Sequence, residues 1–386
     1  MAKVRFLSLI LSLAACGPSP NPDEPAGRAP GAALFVGTYT QSLPHVDGQA
    51  KGIYTLMPQD SGGWEATHVR EGIVNPSYLT VDSRGEFLYA VSEIGPGGTD
   101  SSGWVASYRV EKDGSLQLLN RQPTFGFAPC YVSLTPDGQL VMVANYVGGT
   151  IAFYPRLKDG QIGAASGQMT FSGSGPHREQ QAAHPHCIRS SPDGRFVYVA
   201  DKGTDKVMGL ARSEAGQLTP TEQGALQVAP GAGPRHLVFH PNRPFLYLVN
   251  ELNATVNTLS YNDATGQLSL LQTISTLPES YSGFNACADI HISPDGRHLY
   301  ASNRGHNSLA IYRILENSQL ERLAFQPTGG DFPRNFAITP DGEQVWVANQ
   351  NSGNIVRFDR NADTGLLSPA GEIKCPTPVC LKFTEL

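Results

Sequence analysis

The stretch GPRHLVFHPNRPFLYLVNELNATVNTLSYN, residues 233–262, decides the fold. It reads as a short strand over Arg235 to Phe239, a tight turn at Pro241 and Asn242, and a second strand over Phe245 to Val249. A third strand runs from Thr255 to Tyr261, and a weaker fourth covers Leu270 to Ser275. Each strand alternates or is continuously apolar over five to seven residues, the pattern of sheet rather than helix. The same sentence recurs, aligned on Pro136, Pro192, Pro241, Pro294 and Pro340, at intervals of about 46 to 56 residues, with Ser83 in the matching place of an earlier copy. Four copies carry Pro-Asp-Gly, as at Pro136-Asp137-Gly138, a turn in which each residue suits its own backbone position. Four strands repeated at that period are the signature of a β-propeller blade.

Six copies are complete, and the seventh is divided between the chain ends. Pro378 to Phe383 matches the register of Pro234 to Phe239, a first strand with nothing after it. Leu34 to Thr38 matches a second strand with nothing before it, and Lys51 to Met57 supplies a third. The expectation is an all-β, seven-bladed β-propeller closed by a shared blade, which removes an open sheet edge.

The surrounding composition agrees. The chain has 386 residues, 40% hydrophobic and only 16% charged, with 41 Gly and 29 Pro. A net charge of −6 and the lack of a basic run beyond the N-terminus argue against nucleic acid as a partner. Residues 1–16 read as a signal peptide, with Lys3 and Arg5 before an apolar Phe6 to Leu13. Leu13-Ala14-Ala15-Cys16 has the form of a bacterial lipobox, with Cys16 as the lipidated residue. The plain alternative is an ordinary secretory signal. Residues 17–32 are a proline-rich tether and 33–386 the folded domain. The expected location is the bacterial envelope on its periplasmic side, anchored to membrane only by lipid. Five further cysteines follow no disulfide spacing; Cys375 and Cys380 are one candidate pair, and small buried residues the other reading.

The copies serve as controls for one another. Where blades agree the residue serves the blade, as with Asn145, Asn250, Asn303 and Asn349 at the end of the second strand. Just beyond it the blades disagree: Glu93, Tyr146, Lys202, Glu251, Arg304, Gln350. The second position of the first strand likewise reads Ser77, Cys130, His186, Arg235, Ala288, Arg334, Val379, and its successor Tyr78, Tyr131, Cys187, His236, Asp289, Asn335, Cys380. These columns lie at the open ends of the same hairpins, so one rim should gather them. His186, Arg235, Glu251, Asp289, Arg304 and Arg334 make it asymmetric and suited to an anionic or carbonyl-bearing ligand. The bland alternative is a solvated rim held by an Arg235–Glu251 salt bridge. His184-Pro185-His186 sets two imidazoles on one face of a strand. No third ligand accompanies them at recognisable spacing, so no metal is expected. No nucleophile elbow, phosphate loop or dinucleotide motif is present.

Together, Gly37-Thr38-Tyr39-Thr40, His184-Pro185-His186, Gly233-Pro234-Arg235-His236, Val249-Asn250-Glu251-Leu252, Asp289 through Gly296, Ser302-Asn303-Arg304-Gly305-His306, Phe332-Pro333-Arg334-Asn335-Phe336 and Pro378-Val379-Cys380 resemble the seven-bladed propeller lactonases, typified by the bacterial propeller-type 6-phosphogluconolactonase, with a fungal carboxymuconate cyclase in the same group. The resemblance implies lactone hydrolysis without a cofactor, on a small anionic or sugar lactone, and a monomer is expected. It implies a catalytic set of His186, Arg235, Glu251 and Arg304, with Glu251 or His186 as base and the arginines on the oxyanion. His184, His236, Asp289, His291, Arg334 and Asn335 are the expected substrate contacts, Arg334 and His236 for a phosphate or carboxylate. A non-enzymatic envelope propeller binding a glycan or protein, and a carboxymuconate-type cyclase, are the competing functions.

Overall fold

The computed structural model describes residues 32–386 except 61, 98 and 99; the expected signal peptide, Cys16 and the expected tether lie outside the described residues, apart from Ala32. Seven four-stranded antiparallel sheets make up the described chain. Blades 1 to 6 span residues 79–123, 129–170, 185–227, 234–275, 286–327 and 333–374. Blade 7 is the divided one: Pro378–Glu385 is innermost, followed by Ala32–Thr38, Gly52–Pro58 and Trp64–Glu71. Its first strand pairs along its length, from Ala32 opposite Glu385 to Thr38 opposite Pro378. The diagnostic hairpin has strands Pro234–Phe239, Phe245–Asn250 and Thr255–Tyr261, and its fourth strand, Leu268–Ser275, starts two residues before the apolar run suggested.

The second strands are buried along their whole length because both faces meet neighbouring blades, as in Phe196–Asp201 and Leu140–Asn145. That explains why they read as continuous apolar runs rather than alternating ones. The fourth strands begin on one buried residue and continue with half-buried and exposed ones, since they form the outer edge of each blade. The largest core cluster runs from blade to blade; Phe35, Tyr89, Met142, Tyr198 and Leu248 belong to one continuous set. A tyrosine of one blade's second strand donates to a turn carbonyl of the next: Tyr89 to Gly160, Tyr198 to Gly266, Tyr247 to Ser318, Tyr300 to Gly365.

The Pro-Asp-Gly turns do two jobs. Gly138, Gly194, Gly296 and Gly342 have φ between 66 and 76°, which a side chain would strain. The aspartate caps its own turn, as Asp295 accepts from Ser293 Oγ and Arg297 N. It also reaches the next blade: Arg212 lies 2.8 Å from Asp137, and Arg360 2.6 Å from Asp295. The repeated asparagines bond to the loop after the fourth strand, Asn145 to Thr124 O, Asn303 to Thr276 O and Asn349 to Thr328 O. All five described cysteines are free and buried, so Cys375 and Cys380 do not pair.

Closure of the ring rests on the last nine residues. Cys380 Sγ accepts from Leu79 N in blade 1, and Leu381 N donates to Asn335 Oδ1 in blade 6. Truncation after Thr377 exposes the edge of Ala32–Thr38 and leaves both neighbours without these bonds. The truncated chain is expected to lose cooperative thermal unfolding and to bind a hydrophobic dye at 25 °C; a sharp, native-like melt would contradict closure as the source of stability.

Candidate functional site

The first strands converge on the axis, and a backbone irregularity decides which of their side chains meet. In blades 2, 3, 4, 6 and 7 the register between first and second strand slips by one residue, at Cys130, His186, Arg235, Arg334 and Val379; in blade 5 the slip takes in Ala288 and Asp289. A β-bulge leaves one residue unpaired and re-aims its side chain. The bulged residues, with Ser77 of blade 1, are six of the eleven that line a small upper chamber of about 10 Å³, near what one water needs. The variable column of the sequence is therefore a column of bulges.

The second variable column forms the other wall, and its centre is Glu251. Lys202 Nζ lies 2.7 Å from Glu251 Oε1; Arg235 Nε and Arg304 Nη2 lie 2.8 and 3.1 Å from Oε2. The Arg235 contact is ionic in distance without hydrogen-bond alignment at Nε. Arg235 also donates to Ala288 O, and Arg304 to Ala286 O and Cys287 O. All four side chains are less than a tenth exposed, so the solvated salt bridge weighed from sequence is instead a buried cluster. Burial alone would raise the Glu251 pKa, but Lys202, Arg304 and Arg235 outweigh it and hold the carboxyl well below its ordinary range. Glu251 is thus a fixed anion. Burial pulls Arg304 down to about 10 despite Glu251 beside it, and Lys202, penalised by burial, is raised by the same carboxylate.

His186 is buried, and its Nδ1 has no hydrogen-bond partner among the described residues. Burial first, then Arg235 and His236, hold its pKa well below the ordinary value, so the imidazole is neutral with a free nitrogen. Ser77 Oγ, lining the same chamber, is also unpartnered. Two orphaned buried polar atoms around one small space mark where a ligand's polar groups belong. His184 is not on the strand face with His186: the strand starts at Pro185, and His184 stacks on Tyr146 at 4.4 Å with its Nδ1 2.9 Å from Tyr146 O. Tyr146 also meets His186 edge-on, so the two histidines share a tyrosine instead of a ligand.

Sequence reasoning missed Tyr39, Glu93 and Lys202 as site residues. Tyr39 Oη donates to Glu93 Oε2 at 3.0 Å, and Arg334 lies over the Tyr39 ring at 5.3 Å. Glu93 has no ion pair within the described residues, unlike Glu251. Tyr39 was readable: it is the blade-7 member of the column that gives Glu93, Lys202 and Glu251.

The third column does not reach the rim. Tyr78, Tyr131, His236, Asp289, Asn335 and Cys380 form a layer across the channel. Tyr78 and Tyr131 stack at 4.2 Å with His236 edge-on to both. His236 Nδ1 is 2.7 Å from Asp289 Oδ1, His291 Nε2 is 2.9 Å from Oδ2, and Asn335 donates to the same oxygen. His236 and Asn335 form the floor of the upper chamber, whereas Asp289 and His291 face a lower chamber of about 730 Å³. The physical reason is the alternation of the strand, which sends the residue after the bulge down the channel. Asp289 is buried, which would raise its pKa, yet His291 and His236 keep it well below the ordinary range. Among the described residues no group of His, Cys, Asp and Glu has the arrangement of a metal site.

Comparison with known proteins gives a consistent answer. A family model described as Lactonase, 7-bladed beta-propeller matches residues 33–383. The 6-phosphogluconolactonase of Bacillus subtilis is 33% identical over 353 residues, covering 90% of this chain and 97% of that one. A protein of the same name from Formosa agariphila is 34% identical, covering 86% and 94%. The solved periplasmic gluconolactonase of Pseudomonas aeruginosa superposes with a TM-score of 0.84 at 32% identity, covering 91% of this chain and 98% of that chain.

The site's histidines predict an acid-labile fold. Unfolded, His186 and His236 titrate near 6.5; folded, burial and then Arg235 lower both, His236 to about 4. The unfolded chain therefore binds more protons between about pH 6.5 and 4, and stability falls as pH drops through that window. For His236 alone the loss is about 3 kcal/mol. Thermal midpoints measured from pH 7.5 to 4 should fall, and less steeply in His236→Gln. Identical slopes in the two proteins would show that His236 is not buried neutral.

Proposed function

The chain belongs to the seven-bladed β-propeller lactonases, hydrolases that open a cyclic ester, and we propose that the side chains around the upper chamber, which itself has room for the attacking water, hydrolyse a sugar-acid lactone of the 6-phosphogluconolactone type seated over it. The observation that carries the reading is the neutral, buried His186 with its free Nδ1, placed beside Arg235 and Arg334. In the proposed step His186 Nδ1 takes a proton from water as the water oxygen bonds to the lactone carbonyl carbon. The carbonyl becomes an oxyanion held by Arg235 and Arg304, and collapse breaks the ring C–O bond. The imidazolium returns its proton to the leaving ring oxygen, giving the hydroxy acid. Glu251, of the two bases considered from sequence, is the less suited, because Lys202, Arg235 and Arg304 already occupy both of its oxygens while His186 Nδ1 is unpartnered. Its role is to fix the guanidinium groups where the oxyanion develops, which avoids reorganisation during the reaction. Tyr39 and Glu93 close the opposite wall.

Arg334 is the group for a substrate anion. It hydrogen-bonds Gln350 at 3.3 Å and stacks on Tyr39, with no carboxylate in ion-pair contact among the described residues. Its fork is thus free for a phosphate. The plain sugar lactone is the second reading, favoured by the likeness to a periplasmic gluconolactonase. We propose with it that the chain is exported and lipid-anchored at Cys16, on the basic n-region and lipobox of residues 1–16.

Hydrolysis of 6-phosphogluconolactone and gluconolactone, corrected for spontaneous opening, tests the reading. His186→Ala should lower kcat on the better substrate by about 10²–10⁴. Arg334→Met should lower kcat/KM for the phosphorylated lactone by roughly tenfold or more, with little change for the plain one. No activity on either lactone would overturn the substrate class, and wild-type kcat in His186→Ala would remove the base. Retained binding without turnover would point instead to a propeller that recognises its ligand without reacting it.

A further inference from the structure

The layer of Tyr78, Tyr131, His236, Asp289 and Asn335 splits the channel, and the chamber below it has a character of its own. The next residues to face the axis, two positions on, include Thr80, Arg189, His291 and Lys382, contributed by blades 1, 3, 5 and 7. Arg189 and Lys382 have no carboxylate partner among the described residues. Arg189 Nη1 makes one long bond, 3.4 Å to Leu237 O, and Lys382 Nζ sits 4.8 Å from the Tyr78 ring centroid. The carboxylates nearby are engaged elsewhere: Asp82 with Arg156, Asp137 with Arg212, and Asp289 with His236, His291 and Asn335. Two permanent cations therefore face a concave space of about 730 Å³ with no described carboxylate in ion-pair contact with either, the buried Asp289 anion bordering the same space from the layer above.

A guanidinium fork and an ammonium across a confined chamber match the oxygens of a tetrahedral anion, and low-dielectric walls concentrate their field on it. We infer that the lower chamber is a second anion site, seating inorganic phosphate or the phosphate of a sugar acid between Arg189 and Lys382. The side-chain layer separates this site from His186 and Glu251, so it stands whether or not the upper chamber hydrolyses a lactone.

Calorimetric titration of the full chain at low ionic strength, with inorganic phosphate, 6-phosphogluconate and gluconate, tests it. Phosphate binding should weaken about tenfold or more in Lys382→Gln and in Arg189→Met, as expected when a charge-assisted bond is lost, and should survive Arg334→Met. Equal affinity for phosphate and 6-phosphogluconate assigns the free ion, and tighter 6-phosphogluconate binding that Lys382→Gln weakens and Arg334→Met spares assigns the sugar acid; either supports the site. Lys382→Gln, at a half-buried position, keeps the test open should Arg189→Met fail to fold, its fold being verified by its melt. Wild-type affinity in folded Lys382→Gln overturns the inference. So does binding abolished by Arg334→Met alone, which places the anion in the upper chamber, or gluconate binding as tight as phosphate.

Discussion

Three cations drawn from blades 3, 4 and 5 share the carboxylate of Glu251. Removing Lys202, Arg235 or Arg304 from water is costly unless each finds a partner with good geometry. Glu251 accepts a hydrogen bond from Lys202, which Glu179 also meets, and lies in ionic contact with Arg235 and Arg304, whose other N–H groups go to backbone carbonyls. The arrangement fixes the positions of guanidinium groups that in water would sample many rotamers. It also separates the two groups weighed as bases: a carboxylate so surrounded stays ionised and engaged, while a desolvated histidine beside cations stays neutral.

A propeller is nearly symmetric, and chemistry requires that the symmetry be broken locally. Here each register position of the first strands forms a layer across the axis. The bulge layer faces the upper chamber, the next layer closes the channel, and the third faces the lower chamber. Every blade keeps the same four-stranded antiparallel frame, and four of the seven share the turn aspartate and four the asparagine at the second strand's end. The polar identity of a layer can then change blade by blade without disturbing the frame. The bulge is the device that makes this possible, since it frees a residue from the ladder at the same place in blade after blade.

How far the site could be read from sequence follows from this. Comparing the blades pointed to His186, Arg235, Glu251, Arg304 and Arg334, because a charged residue that departs from its equivalents in a low-charge chain stands out. The same comparison, carried into blade 7, contains Tyr39. Lys202 lay in a column already written down, and its importance came only with the distance to Glu251. His236, Asp289 and His291 were assigned to the rim because spacing gives order along a strand but not depth along an axis. His184 was placed beside His186 by counting two residues, which holds on a regular strand and fails where a bulge and a strand start intervene.

The chain's sequence by itself determined the seven repeats, the turn chemistry, the divided closing blade and the set of residues able to carry charge to the axis. These are local properties, fixed by periodicity and by the backbone preferences of Pro, Asp and Gly. The tertiary structure alone decided which charges neutralise one another, which histidine nitrogen is left free, and that the channel has two chambers. Those outcomes depend largely on side chains from different blades meeting near the axis, and contacts between residues a blade or more apart leave no periodic trace in the chain.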